Sequence, residues 1–215
     1  MNARLMPPPL RETHRPPLLL DANSNGLLMS RDEFNAITHD GCDPRFHYEL
    51  LNGVVIVSPP PSDGEADPND ELGRLLRNYQ DTPQGKALDK TLFEREVATS
   101  VGIRRVDRAI WIGFGRSISS KADLPTILVE FVSPGKRAWR RDYEQKRDEY
   151  LQLGTKEYWV IDRFRRTMTV CFPPPAQPPE RIVTEAETYT TPLLPGFELP
   201  LKRLLDLADL YSDKE

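Results

Sequence analysis

The sequence predicts an α/β domain built on a mixed β-sheet with helices against it, and three observations carry that prediction. Asn52-Gly53 lies between two apolar runs, Tyr48–Leu51 and Val54–Val57. Asn-Gly accepts the positive φ at both central positions that a two-residue hairpin turn requires. Thr126-Ile-Leu-Val-Glu-Phe-Val132 is a short, β-branched apolar run of the kind covered on both faces inside a sheet. A long amphipathic stretch, Ala138–Leu153, follows it, and further apolar runs follow that helix, so strands and helices interleave along one chain.

The elements follow in order. Residues 1–25 are Pro-rich and without periodicity, which predicts a flexible arm ahead of a single domain over residues 26–215. Ser30-Arg-Asp-Glu33 has the form of a capping box and predicts a short helix after Ser30. The hairpin should end at Pro59–Pro61. Asp70–Tyr79 places Leu72, Leu75, Leu76 and Tyr79 on one helical face. Strands are expected over Leu92–Thr99 and Ile103–Ile112, and Gly154 should stop the Ala138–Leu153 helix. Glu157–Ile161, Thr167–Phe172 and Arg181–Thr184 read as strands, Pro173–Pro179 as an exposed turn, and Lys202–Leu210 as a last helix.

Composition narrows the function classes. The 215 residues are 38% hydrophobic and 29% charged, a globular balance. No apolar run approaches the roughly 20 residues of a spanning helix, and none of secretory length precedes the first prolines. Cys42 and Cys171 lack paired spacing, which argues against a zinc site or disulfide framework and makes a reducing cytoplasm the expected compartment. The net charge of −4 hides an asymmetry: Arg104–Arg166 holds 15 Lys/Arg against 9 Asp/Glu, leaving −10 for the rest. That distribution permits a basic face, although solvated helix charges give the same count.

Three residues stand where an apolar side chain is expected. In the helix, Trp139, Tyr143, Tyr150 and Leu153 form one stripe, and Lys146 occupies its missing position. Its amine must either reach water along its own stem or meet a carboxylate. Glu130 interrupts the Ile127–Val132 run, and glutamate is rarely buried unpaired. Asp107 lies mid-strand, where aspartate is depleted. Glu49, in a hairpin strand, is a weaker candidate. A structural ion-pair network would account for these residues. So would a hydrolytic site, in which two carboxylates on neighbouring strands hold a hard cation and an ammonium helps at the phosphate.

The chain resembles the Uma-type restriction endonucleases, a bacterial branch of the PD-(D/E)XK nuclease superfamily. The resemblance is carried by Tyr48-Glu-Leu-Leu-Asn-Gly53, Val57-Ser-Pro-Pro60, Val106-Asp107, Ile127-Leu-Val-Glu-Phe-Val-Ser-Pro134, Arg141-Asp-Tyr-Glu-Gln-Lys-Arg-Asp-Glu-Tyr150, Gly154-Thr-Lys-Glu-Tyr-Trp-Val-Ile-Asp162 and Leu194-Pro-Gly-Phe197. It implies a restriction-endonuclease-like core. It further implies that Asp107 and Glu130 are metal ligands, with Lys146 as the catalytic lysine and Glu49 as a helper. In the superfamily's usual pattern the lysine lies two residues after the acid; that position is Val132 here, and the family's lysine falls on the following helix. Val106 stands where the family has proline, and Asp63–Asp70 lacks the family's histidine.

The expected activity is hydrolysis of DNA phosphodiesters with Mg²⁺ or Mn²⁺, held by Asp107, Glu130 and the Phe131 carbonyl. Arginines of Arg104–Arg108 and Lys136–Arg141 are expected to grip phosphates. No aromatic platform for bases is evident in the sequence. A homodimer would suit cleavage of both strands, though no sequence feature marks one. The alternative is a non-catalytic nucleic-acid-binding or accessory protein that keeps the nuclease fold.

Overall fold

The computed structural model describes residues 19–37 and 41–211. Ser30 caps α1 (Arg31–Ala36), with reciprocal bonds between Ser30 and Glu33. The hairpin follows as the sequence requires: β1 (His47–Leu51) pairs antiparallel with β2 (Val54–Ser58), and Asn52 and Gly53 take φ of 50° and 78°. The packed chain begins earlier than the expected boundary after Asn25. Leu20 is only 1% exposed and bridges Cys42, filling a small core with Phe34, Tyr48 and Val55. The rest of the Pro-rich arm, residues 1–18, lies outside the described residues.

Helix α2 (Asp63–Gln80) starts a full turn and more before the expected Asp70. Pro68 reads as a breaker in sequence, but near a helix start it forfeits a single backbone bond. The start itself is fixed by a capping box, with the Glu65 carboxylate accepting from the Ser62 N–H at 2.8 Å. Strands β3 (Leu88–Ala98) and β4 (Gly102–Ile112) form a long antiparallel ladder. All five residues of β5 (Ile127–Phe131) are buried, as its apolar run predicts.

The next helix comes in three continuous pieces: α3 (Lys136–Arg140), a π-helical turn (Arg141–Lys146) and α4 (Arg147–Leu153), ended by Gly154 in the left-handed region. Then come β6 (Glu157–Asp162), β7 (Thr167–Cys171), β8 (Glu180–Thr184), a small pair β9 (Thr188–Tyr189) and β10 (Leu199–Pro200), and α5 (Leu201–Asp209).

The main sheet has eight strands in the order β2-β1-β4-β5-β6-β7-β8, with β3 on the other edge of β4. Only β5 and β6 run parallel, which is why a helix must connect them. Helices α2 and α5 cover one face through Leu72, Leu76, Leu201, Leu204 and Leu205. Helix α4 covers the other through Tyr150, against Val106, Leu128 and Tyr158. Among the described residues no helix is long and apolar enough to cross a membrane.

Candidate active site

The site lies in an open seam of the sheet. Strand β3 takes one edge of β4 along most of its length, so β1 and β5 must share the other edge. They do not meet: β1 pairs only with Gly102 and Ile103, and β5 only with Arg108–Ile110. Residues 104–107 of β4 therefore have no strand beside them on that edge. Buried backbone groups left without a ladder must find other partners, and side chains supply them. The Glu49 carboxylate accepts from the Arg105 N–H at 2.8 Å, and Lys146 Nζ donates to the Arg105 carbonyl at 3.0 Å. Asn69 Nδ2 donates to the Asp107 carbonyl at 2.9 Å, and Asp107 Oδ2 accepts from the Phe131 N–H at 2.6 Å.

A twist at the same level turns Asp107 into the seam. Arg104 and Val106 face α4, whereas Arg108 and Ile110, of the same parity, face α2. The side-chain alternation of an ideal strand is thus inverted at Asp107. Opposite it on β3 stands Glu94, a non-glycine residue at φ 51°. Such a residue is uncommon in a strand.

The predicted residues converge. Lys146 is 4% exposed and Glu130 2%. Lys146 Nζ donates to Glu130 Oε1 at 2.8 Å and stands 4.0 Å from Glu49 Oε1 and 3.9 Å from Asp142 Oδ1. Tyr150 Oη donates to the same Glu130 oxygen at 3.2 Å. The lysine of the helical stripe meets a carboxylate rather than water. The π turn that contains it widens the helix where Asp142 and Lys146 both turn inward, a placement common at functional sites.

Charge is crowded. Burial pushes the Asp107 carboxyl up to about 7, against the pull of Lys146 and the Phe131 N–H and with help from Glu94 and Glu65. Burial also raises Glu130, opposed by Lys146 and reinforced by Asp107 and Asp142. Glu49 is held low instead: burial pushes it up, but Lys146, the Arg105 N–H and Arg104 outweigh that. The Lys146 ammonium is kept charged against burial by Glu130, Glu49 and Asp142.

The donor set fits a hard cation. One oxygen each of Asp107 and Glu130 is used in the bonds above, and the other accepts no hydrogen bond among the described residues. Because the Val132 N–H bonds to Ile161 on β6, ladder alternation turns the N–H and carbonyl of Phe131 toward the seam. The buried Glu65 Oε1 also lacks a hydrogen-bond partner among the described residues. Among the described residues, however, no three His, Cys, Asp or Glu side chains already converge as ligands. Two carboxylates and a backbone carbonyl, completed by water, are what this chain offers.

Two sequence expectations need correction. Arg104 and Arg108 do not face phosphates. Arg104 is buried in a bidentate pair with Glu149 (Nε–Oε2 2.9 Å), and Arg108 donates to Asn69 Oδ1 at 2.7 Å and Thr91 Oγ1 at 3.1 Å. Both are tied into the structure because their strand is covered on both faces. Trp139 is only half-buried, not a core member of the stripe, because the helix runs past the sheet end there. Glu65, Asn69 and Glu94 were missed. Ser62-x-x-Glu65 repeats the capping-box signal read at Ser30 and could have exposed the first two.

The mixed eight-stranded sheet flanked by helices is that of a restriction-endonuclease-like α/β protein. The family model Uma2, described as "Putative restriction endonuclease", matches residues 31–202, and the chain belongs to that family. A solved structure described as a putative nuclease belonging to DUF820 from Anabaena variabilis is similar, with a TM-score of 0.66 at 17% identity. The match covers 84% of this chain and 99% of that one. No protein of curated function matches.

Proposed function

We propose that this chain is a divalent-metal-dependent endonuclease that hydrolyses DNA phosphodiester bonds. The observation that carries the proposal is the buried Lys146–Glu130 contact beside Asp107 in the open seam. Asp107, Glu130 and the Phe131 carbonyl are the groups that would hold Mg²⁺ or Mn²⁺. Such an ion polarises a phosphodiester and makes bound water acidic.

The chain's own groups have separable tasks. Lys146 stays protonated, so it serves as a fixed cation that orients the attacking water and offsets charge developing on the phosphate, not as a base. Glu130 and Glu49 hold that ammonium in place from two sides. Tyr150 fixes the Glu130 carboxylate. The exposed Lys136, Arg137 and Arg140 lie on the helix leading into the site and are suited to backbone phosphates.

The test is incubation of supercoiled plasmid and single-stranded DNA with the purified protein in Mg²⁺, in Mn²⁺ and in chelator. Glu130→Ala and Lys146→Ala are run alongside. Metal-dependent cutting that both variants lose is the expected result. A Lys146→Ala protein that cuts at the native rate overturns the assigned role.

A further inference from the structure

Beyond the end of β5, immediately past Phe131, a groove of about 480 Å³ opens between the helix start and the β6–β7 turn. That volume lies within the range of small-ligand pockets, about 300–1,000 Å³. Its walls include Trp139 and Phe164, with Lys136, Arg140 and Arg165 around them. The lining has one acid, Asp162, and that carboxylate is occupied by the Phe164 and Arg165 N–H groups at 3.0 Å each and by Tyr143 Oη at 3.2 Å. Arg165 Nε also stands 3.8 Å from Asp162, and Arg140 Nε donates to Glu144 at 3.0 Å, so these two cations are paired at the rim. The groove is aromatic, and its lining holds more cations than acids.

Its components are fixed in place. Trp139 stacks on Tyr143 with centroids 4.9 Å apart, and the Arg165 guanidinium lies 4.9 Å from the indole centroid. The Trp139 Nε1–H has no hydrogen-bond partner among the described residues. Phe164 is 56% exposed, a large ring held in water beside an arginine-rich turn. Lys136 forms no ion pair among the described residues. Aromatic faces combined with cations tracking a backbone are the elements by which proteins hold unpaired nucleotides.

We propose that this groove seats an unpaired nucleotide of the DNA strand being cut, so that cleavage is directed to single-stranded or frayed DNA. The proposal rests on the nuclease reading above and adds its substrate class. A paired base cannot enter, because its faces are covered by its neighbours in the stack. Val132 and Ser133, which follow the Glu130-Phe131 pair directly, line the groove, so a strand seated there passes the seam.

The test measures binding in chelator, so that cutting does not enter. Of the three tryptophans, Trp111 and Trp159 are fully buried, so Trp139 is the one placed to touch a bound strand, and its quenching is read with the unlabelled oligonucleotide. The probe is a dye-labelled oligothymidylate of about fifteen nucleotides, compared with its blunt duplex. The native protein should prefer the single strand on the order of tenfold, with quenched tryptophan emission. Phe164→Ala and Lys136→Ala, both exposed and expected to fold, should each weaken single-strand binding on the order of tenfold. Equal affinity for single strand and duplex overturns the proposal, as does unchanged binding in both variants. Single-strand binding in a protein that cuts nothing with Mn²⁺ would keep the groove and remove the nuclease. Plasmid cutting with indifferent groove variants would do the reverse.

Discussion

Asp107 illustrates how much of this site is decided by a single side chain in an unusual place. Its carboxylate both caps the Phe131 N–H and stands among other acids, and burial raises it to about 7. An unfolded aspartate ionises near 3.9. Between roughly pH 4 and pH 7 the folded state therefore keeps a proton that the unfolded chain has released, so stability falls as pH rises through that window and levels off above it. A cation that binds the ionised form reverses the loss. Mn²⁺ should therefore raise the melting temperature more at about pH 8 than at about pH 5.5, as differential scanning fluorimetry would show. An equal shift at both pH values would remove Asp107 from the ligand set. Lys146→Met leaves Glu130 buried without its partner, a change costing about 3–5 kcal/mol. Its melting temperature should drop, and added Mn²⁺ should recover part of the drop if Glu130 is a ligand.

At the scale of elements, the π turn and the close approach of β1 to β4 set the geometry. Deleting the exposed Gln145 would let the widened turn relax to an ordinary helix and rotate Lys146 away from Glu130. Helix content by circular dichroism should persist while cleavage falls about 100-fold or more. Gly102 matters for a different reason: a Cβ there would lie 1.6 Å from the Leu50 carbonyl oxygen. Gly102→Ala should separate β1 from β4, carry Glu49 out of the seam, and cost about 2 kcal/mol or more, read by chemical denaturation. The elements were largely legible in the sequence because their signals are local: the Asn52-Gly53 turn, the Ser30 cap and the apolar run of β5. Asp107, Glu130 and Lys146 were legible as residues that break an apolar pattern. Glu65 and Asn69 precede the apolar stripe of α2, so only the Ser62 capping box pointed to them. The inverted alternation at Asp107 could not be seen, since the period-2 pattern of a strand carries no mark of where a twist reverses it. Nor could the groove, whose rings at Trp139 and Phe164 are distant in sequence and come to line one cavity only in the folded chain.

For the molecule as a whole, the net charge of −4 is a poor guide to its partner. The two stretches expected to grip phosphates differ. Arg104 and Arg108 are consumed inside the fold, whereas Lys136, Arg137 and Arg140 are exposed at one end of the sheet. Oligonucleotide affinity should therefore fall with salt despite the acidic total. Substituting Arg137 and Arg140 by alanine should reduce the slope of log affinity against log salt by about 0.7 per charge removed on a single strand, as titrations across a salt series would show.

The open seam has a further consequence, for how such a protein would age over generations. Glu49, Asp107 and Lys146 close a hole in the sheet whether or not anything is ever cut. A copy released from selection for cleavage would still be held to them by the need to fold. Its decay should show first at positions with no structural duty, such as Phe164 and Lys136, while the acids and the lysine stay in place as a fossil of the chemistry.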